Sequence, residues 1–258
     1  MNVKKIKLYD NNMNALVIIP ARYGSTRFPG KPLVKIKGKS MIQRVYEQAK
    51  KAAEHVWVAT DDMRIESAVT KFGGMCVMTS SQHTSGTDRI AEALDLIPDT
   101  QQFNVIVNIQ GDEPFIEPTQ ISQLIELCSH SDVQIATLIK KIDSVDDLFN
   151  PNKPKVICNK QNNAIYFSRS PIPFMRDVEK SIWHNKHTFY KHIGVYAYKK
   201  NVLKEITKLT PTVLEIAENL EQLRWIEHNY TIKTGVTEYE NLSVDTQEDL
   251  DAILKILK

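Results

Sequence analysis

The sequence predicts an α/β protein whose β-sheet is mostly parallel and carries helices on both faces. Short apolar runs alternate with amphipathic helical segments from residue 15 to residue 142, the pattern of parallel strands joined by helices. The run ALVIIP at 15–20 is continuously apolar, as expected for a strand buried on both faces. Polar turns follow the apolar runs at 15–20 and 104–110. Because ligands bind beyond the carboxyl ends of parallel strands, we expect these two turns to face one site.

The elements of this first part follow from local signals. Ser40 caps a helix over MIQRVYEQAKKA, whose apolar residues fall on one face. A second helix covers about 63–72 and ends at Gly73-Gly74, and a third follows a capping box formed by Ser85 and Asp88. A fourth helix has Pro118 in its first turn. The predicted strands are 15–20, 55–60, 75–79, 104–110 and 133–142.

The second part of the chain has a different texture. Prolines cluster between about 150 and 200, and NAIYFSRS and HIGVYAY read as strands with no helix between them. We interpret this region as an inserted antiparallel portion, and we expect its exposed strands to form a dimer interface. A long helix at about 213–228 and a strand at 231–237 follow, and Thr246 and Asp249 form a capping box for the last helix. The long helix is predicted from a stripe of Ile216, Leu220, Leu223 and Ile226.

Composition restricts the class of protein. The chain has 258 residues, 42% of them hydrophobic, and a net charge of +2, so nothing requires a nucleic-acid partner. No apolar stretch approaches the length of a membrane span, and we expect a cytoplasmic protein without membrane insertion. Cys76, Cys128 and Cys158 show no metal-ligand spacing and are expected to be reduced thiols. Residues 1–14 read as an N-terminal extension, or Met13 is the native start; both readings stay open.

The loop at 20–32 has the composition of an anion site but not the spacing of the commonest one. Five residues separate Gly24 from Gly30, and Pro32 stands where a Walker A loop needs Ser or Thr, so a P-loop NTPase is disfavoured. The glycine fingerprint of dehydrogenases is also absent. Cations and hydroxyls are nevertheless concentrated directly after a buried strand, which favours an anionic ligand over a solvated basic turn. They are Arg22, Ser25, Thr26, Arg27 and Lys31.

Two acidic residues are candidates for a metal site. Asp112 follows the apolar run at 104–110, and Asp245 stands at the start of the last helix. Mg²⁺ is usually held by one or two carboxylates together with substrate phosphates, which suits both positions. A turn-forming Asp and a helix-start Asp are the alternatives that the sequence alone leaves open. His184, His187 and His192 do not have the spacing of a metal site.

The quoted motifs resemble one known family. PARYGSTRFPGKPL is similar to the N-terminal signature of the 3-deoxy-manno-octulosonate cytidylyltransferases, and further motifs occur in family order over the chain from Ala15 to its end. They are ATDD, HTSGTDR, VNIQGDEP, FNP, YFSRSPIP, HIGVYAY, LEQLR and VDTQEDL. The resemblance implies a Rossmann-like, three-layer nucleotide-diphospho-sugar transferase fold with 15–258 as a single domain. It also implies that CMP is transferred from CTP to 3-deoxy-manno-octulosonate (Kdo), with release of pyrophosphate, for lipopolysaccharide synthesis.

The resemblance also assigns roles to residues. Lys31 and Arg22 match catalytic, phosphate-contacting positions, and Asp112 and Asp245 match the aspartates that bind Mg²⁺. The residues that the resemblance implies to line the sugar site are Gln110, Arg169, His192, Tyr196, Glu221 and Gln222. Further candidates for substrate binding, taken from the loops themselves, are Ser25, Arg27, Thr79, Ser80, Ser85 and Gly86. Ser80 departs from the family, whose members often carry a basic residue there.

Two rival functions are weighed against this one. CMP-sialate synthesis is the same chemistry on a larger sugar acid, but PGKPL and LEQLR resemble the Kdo branch. A non-catalytic CTP-binding module is the other, and the joint presence of Lys31, Asp112 and Asp245 argues against it.

Overall fold

The computed structural model describes residues 14–25, 28–240 and 242–256. The strands are β1 (Ala15–Ala21), β2 (Lys35–Ile36), β3 (Lys39–Ser40), β4 (His55–Thr60), β5 (Met75–Met78), β6 (Val105–Asn108), β7 (Ile135–Lys141), β8 (Lys155–Cys158), β9 (Ala164–Ser168), β10 (Tyr190–Lys199) and β11 (Ile232–Val236). The helices are α1 (Met41–Ala52), α2 (Met63–Lys71), α3 (Gly86–Leu96), α4 (Pro118–Ser129), α5 (Val145–Phe149), α6 (Trp183–Lys186), α7 (Lys200–Ile206), α8 (Val213–Glu218), α9 (Gln222–Glu227) and α10 (Gln247–Ile256).

The main sheet confirms the predicted fold class. Its order is β11-β7-β10-β6-β1-β4-β5, with β8 paired to β10 and β9 paired to β8. Strand β1 is parallel to both β4 and β6, β4 is parallel to β5, and β11 is parallel to β7. Strand β10 is antiparallel to β6, β7 and β8. The carboxyl ends of β6, β1, β4 and β5 therefore meet at one edge of the sheet.

Two apolar cores cover the two faces of this sheet, which makes the predicted three layers. Val17 and Ile19 of β1 pack in one core with residues of α1, α2 and α4. Leu16 and Ile18 pack in the other, with residues of α3, α7 and α9. Successive side chains of a strand point to opposite faces, so a strand buried on both faces must be apolar at every position. That requirement explains the unbroken run ALVIIP.

The region from 150 to 200 contains the predicted antiparallel strands, but they are not all separate from the main sheet. Strand β10 lies between β6 and β7, with Tyr196 opposite Asn108 on one side and opposite Thr137 on the other. Only β8 and β9 lie off the main order. The antiparallel strand thus completes the centre of the sheet.

The single helix predicted at 213–228 is wrong. Two short helices, α8 and α9, occupy this segment, and Asn219 between them adopts a left-handed conformation with φ 50°. Asn tolerates this conformation better than most residues, so it can end α8 and redirect the chain. As a result Leu220 and Leu223 are buried, whereas Ile216 remains 70% exposed.

The last helix docks through a small apolar cluster of its own. Val244, Leu250 and Ile253 pack with Ile36 and Met41, which come from β2 and the start of α1. This contact brings the chain end beside the loop that follows β1. Among the described residues, no helix is long and apolar enough to cross a membrane.

Candidate active site

A cleft of about 280 Å³ lies at the carboxyl ends of β1, β5 and β6. The loops after these strands and the segment before α10 supply its walls, as expected for a parallel sheet. The lining residues are Pro20, Ala21, Arg22, Ser25, Lys31, Pro32, His83, Thr84, Ser85, Gly86, Arg89, Gln110, Gly111, Asp112 and Asp245. Both polar turns identified in the sequence therefore reach one site.

The loop after β1 is closed by glycine geometry. Gly30 has φ 74°, and its N–H donates to the Tyr23 carbonyl at 2.9 Å. A Cβ at this position would lie 3.1 Å from the Tyr23 ring, so a larger residue is disfavoured by both backbone and packing. A single 3₁₀ turn over Lys31–Leu33 follows immediately. The tight turn directs Lys31 into the cleft.

Lys31 is the electrostatic centre of the cleft. Its Nζ donates to Asp112 Oδ2 at 2.6 Å and to Asp245 Oδ1 at 3.0 Å. Burial alone would lower the pKa of the Lys31 ammonium, but the two carboxylates, Asp112 foremost, outweigh it and raise the pKa above its usual 10.5. Lys31 therefore carries its charge at any working pH.

Backbone contacts join the segments that carry the two aspartates. The Val244 N–H donates to the Asp112 carbonyl at 3.1 Å. The Asp249 carboxylate accepts from the Asp245 and Thr246 N–H groups, each at 2.9 Å. Asp249 therefore fixes the backbone at Asp245 while it caps α10. The convergence of Asp112 and Asp245 depends on docking of the C-terminal helix.

The donor set suits Mg²⁺. Asp112 and Asp245 offer hard oxygen ligands that already converge on a cation, the Lys31 ammonium. Within the described ranges, no group of three or more His, Cys, Asp or Glu residues could hold a metal ion. Two carboxylates without further protein ligands are typical of a Mg²⁺ ion that is completed by substrate phosphates and water.

The loop after β5 supplies the opposite wall. Ser85 is the N-cap of α3, its Oγ accepting the Asp88 N–H at 3.1 Å. A Cβ on Gly86 would lie 3.2 Å from the Pro20 ring, so this loop approaches the end of β1 closely. Because Ser85 and Gly86 share the cleft with Gln110, the β5 and β6 loops face each other there.

Three lining residues with polar side chains were given no role from the sequence: His83, Thr84 and Arg89. Arg89 is only 3% exposed. Its guanidinium donates to Thr79 Oγ1 at 2.7 Å and to Asp61 at 2.9 Å. All three belong to the motif HTSGTDR, so the signal was present but only part of the motif was given a role.

The predicted substrate-binding residues do not all lie in this cleft. Thr79 does not line the cleft, and its Oγ1 accepts a hydrogen bond from the Arg89 guanidinium. Ser80 is exposed, and its N–H donates to the Glu92 carboxylate. Arg27 lies outside the described residues. The cleft brings together the remaining members of the loops after β1, β5 and β6, which are Arg22, Ser25, Ser85, Gly86 and Gln110.

A second polar group extends from the cleft along α3. Thr87, two residues after Ser85, donates to Glu221 Oε2 at 2.6 Å. Burial raises the pKa of the Glu221 carboxyl despite this bond. Gln222 is 5% exposed, and its Nε2 has no hydrogen-bond partner among the described residues. Unpaired buried amides are costly, so Gln222 is suited to a polar ligand.

Aromatic residues of β10 back this second group. Tyr196 stacks on Tyr198 and packs edge-on against Trp225. The ring of His192 packs against Tyr196, and burial lowers the pKa of His192 to about 3. The Tyr198 hydroxyl lies beside the Asn108 and Thr87 side chains, and neither Tyr198 nor Asn108 was singled out from the sequence.

Arg169 has a different environment from the one its predicted role suggests. Its guanidinium donates to three backbone carbonyls, those of Pro151, Glu218 and Asn219, at 2.7–3.1 Å. Its own N–H donates to the Glu218 carboxylate at 2.9 Å. Arg169 therefore ties the end of β9 to the end of α8, and it does not line the cleft.

Comparison with known proteins identifies the family. The model of a family described as cytidylyltransferase matches residues 16–234. A 3-deoxy-manno-octulosonate cytidylyltransferase from Parabacteroides distasonis is 57% identical over 95% of this chain and 98% of its own length. The chain belongs to the 3-deoxy-manno-octulosonate cytidylyltransferase family. The fold and family predicted from the sequence are thereby confirmed.

Other members and neighbours of this cytidylyltransferase family agree. The enzyme of the same name from Cytophaga hutchinsonii is 53% identical over 93% of this chain and 96% of its own length. The solved structure of CMP:2-keto-3-deoxy-manno-octonic acid synthetase complexed with CTP is 41% identical, with a TM-score of 0.86 over 94% of this chain and 98% of that chain. A putative glucose-1-phosphate thymidylyltransferase from Bacillus anthracis, 16% identical with a TM-score of 0.65 over 94% of this chain and 95% of that chain, shares the fold alone.

Proposed function

We propose that this protein transfers CMP from CTP to Kdo and releases pyrophosphate. The observation that carries the proposal is the Lys31 ammonium, held between Asp112 and Asp245 at the carboxyl edge of the sheet. It is supported by relatives named for this activity and by a similar structure that contains CTP. The CMP-sialate alternative is not favoured by these relatives.

The reaction is an in-line displacement at the α-phosphorus. The anomeric oxygen of the sugar acid attacks, a new O–P bond forms, and the bond from phosphorus to the bridging oxygen of pyrophosphate breaks. The anomeric proton passes to solvent. Negative charge increases on the phosphate oxygens, so a positioned cation lowers the barrier. Lys31 supplies that cation at the α-phosphate, and Arg22 and Ser25 bind the remaining phosphates.

Asp112 and Asp245 would hold Mg²⁺ in this proposal. The ion supplies charge neutralisation and orientation of the phosphates when bound. Lys31 would then release its two carboxylates and turn toward the phosphate oxygens. Lys31, Asp112 and Asp245 all line the same cleft, so the groups involved in this exchange are already close to one another.

The acceptor sugar would bind at the second polar group. Glu221 and Gln222 present a carboxylate and an unpaired amide, which suit sugar hydroxyls. His192 is neutral because burial lowers its pKa to about 3, so it acts as a hydrogen-bonding group and not as a cation. Gln110 lines the cleft itself, together with Ser85 and Gly86.

The setting of the enzyme also belongs to the proposal. We infer a cytoplasmic homodimer whose product serves lipopolysaccharide synthesis. Apolar side chains exposed in the 150–200 region, Ile165 at 52% and Phe174 at 72%, support an interface there. Analytical ultracentrifugation that finds only monomer at micromolar concentration would reject the dimer and leave the catalytic proposal intact.

The decisive experiment is pyrophosphate release with CTP, Mg²⁺ and Kdo, run beside sialic acid and beside Lys31→Ala. Release with Kdo that is absent with sialic acid and lost in the variant is the expected result. Release only with sialic acid would assign the alternative acceptor. Binding of CTP without release from either sugar would reject catalysis in favour of a nucleotide-binding module.

A further inference from the structure

Glu92 of α3 connects two parts of the loop that follows β5. The same carboxylate oxygen, Oε2, accepts the Ser80 N–H at 2.8 Å and contacts Nε2 of the His83 ring. The Gln82 N–H also donates to Ser80 Oγ at 3.1 Å, so the turn between these contacts is internally bonded. Glu92 therefore holds both ends of the turn from Ser80 to His83.

The contact with Glu92 also determines which nitrogen of the His83 ring is the donor. Burial alone would raise the pKa of the Glu92 carboxyl, but the hydrogen bonds from Ser80 and His83 outweigh it and lower the pKa. An ionised carboxylate accepts only, so Nε2 carries the proton. In the neutral ring Nδ1 is then an acceptor, and it has no hydrogen bond with any described residue.

The position of His83 indicates which part of a nucleotide it meets. His83 lines the cleft, and it follows β5, two strands from β1 and on the side away from β6. Lys31 follows β1 and Asp112 follows β6, so the phosphate-binding groups lie at the other end. Because one cleft joins Lys31 to the β5 loop, a nucleotide with its triphosphate at Lys31 would have room to extend its nucleoside toward that loop.

We propose that Glu92 is a positioning residue that holds His83 so that Nδ1 accepts a hydrogen bond from the nucleoside half of CTP. The donor is either the 4-amino group of cytosine or the ribose 2′-hydroxyl. The inference rests on the proposed function, because it takes CTP as the nucleotide. It adds to that function two residues with no role in the phosphate chemistry.

The first test measures CTP affinity of Glu92 variants by isothermal titration calorimetry, together with steady-state kinetics. Glu92→Ala should weaken CTP binding about tenfold, the loss of one well-oriented hydrogen bond, while kcat at saturating CTP changes less than about threefold. Glu92→Gln keeps an acceptor oxygen where both bonds converge and should recover most of the affinity.

The matched control is Asp95→Ala. Asp95 is an acid on the same helix, three positions later, and it pairs with Lys204 instead of with the cleft loop. It should leave CTP affinity unchanged. The positioning role is overturned if Glu92→Ala and Asp95→Ala bind CTP with the same affinity. It is also overturned if Glu92→Ala lowers kcat while its affinity for CTP is unchanged.

The second test identifies the donor with His83→Gln, which keeps a donor for Glu92 and removes the Nδ1 acceptor. Affinities for CTP, UTP and 2′-deoxy-CTP are compared with wild type. If the variant binds CTP and 2′-deoxy-CTP more weakly than wild type but binds UTP equally well, the donor is the 4-amino group. If it binds CTP and UTP more weakly but binds 2′-deoxy-CTP equally well, the donor is the 2′-hydroxyl. Equal weakening of all three, or of none, overturns the inference.

Failure of the inference and failure of the proposed function give different results. If the wild-type protein binds CTP and releases pyrophosphate and the variants bind CTP equally well, the His83 contact alone is rejected. Wild-type protein that does not bind CTP would reject both.

Discussion

Lys31 Nζ lies 2.6 Å from Asp112 Oδ2, although 81 positions separate the two residues in the sequence. The turn after β1 and the turn after β6 meet because their strands are adjacent and parallel. Without substrate, the ammonium neutralises carboxylates that would otherwise repel each other. In the proposed reaction these groups would separate when phosphates and a divalent cation bind, so the ion pair keeps the proposed catalytic groups close to where they would act.

Lys31→Ala should lower kcat/KM for CTP by roughly 10²–10³-fold, because losing one preorganised donor costs on the order of 3 kcal/mol in the transition state. Pyrophosphate release measures the effect. Lys39→Ala removes a Lys that pairs with Glu47 on the surface and serves as the control. A Lys31→Ala enzyme within tenfold of wild type would contradict the assigned role.

Asp249→Ala should weaken the proposed Mg²⁺ site at Asp112 and Asp245 without removing a ligand. The Asp249 carboxylate binds the backbone N–H of Asp245, so its loss frees that segment. We expect a several-fold rise in the Mg²⁺ concentration that gives half the maximal rate, and about 1 kcal/mol lower stability from the lost cap. Asp251→Ala, which removes an exposed acid bonded to Gln247 on the same helix, is the control. Equal Mg²⁺ dependence in the two variants would show that Asp249 does not position Asp245.

The parts of this structure that the sequence predicts correctly are those encoded by local pattern. Leu16 and Val17 point into opposite cores, so both faces of β1 are buried. A strand buried on both faces appears in the sequence as an unbroken apolar run. The caps at Ser40 and Ser85 are equally local, and both accept the expected backbone N–H. Loops at the carboxyl ends of adjacent parallel strands must then converge, which is why the cleft could be anticipated.

The parts that were not predicted depend on distant pairing or on a single backbone conformation. Strand β10 enters the sheet through its register with Asn108 and Thr137, which no local pattern specifies. Asn219 interrupts a segment whose apolar spacing suits one helix, because one left-handed residue outweighs periodicity. The Glu92–His83 contact likewise joins α3 to its preceding loop and is apparent only once α3 is placed.

His192 should make the folded state less stable in acid. Burial lowers its pKa from 6.5 to about 3 in the folded protein, so the unfolded chain binds the extra proton between these values. Its contribution to stability is complete above about pH 6.5 and is lost as the pH falls toward 3. His192→Asn should therefore reduce the difference in free energy of unfolding between pH 7 and pH 4.5, measured by urea denaturation. Parallel pH profiles for variant and wild type would exclude this assignment.

Arg169→Lys separates a structural role from a sugar-binding one. The guanidinium reaches the carbonyls of Pro151, Glu218 and Asn219 together, and a Lys ammonium cannot match this planar geometry. We expect a loss of about 2 kcal/mol in stability without any ligand, equivalent to roughly 4–8 °C in Tm for a chain of this size. Arg176→Ala removes an Arg whose side chain is 90% exposed and should leave Tm unchanged. An Arg169→Lys protein with wild-type Tm but a raised KM for Kdo would instead assign Arg169 to the sugar, and would require its guanidinium to leave the three carbonyls when the sugar binds.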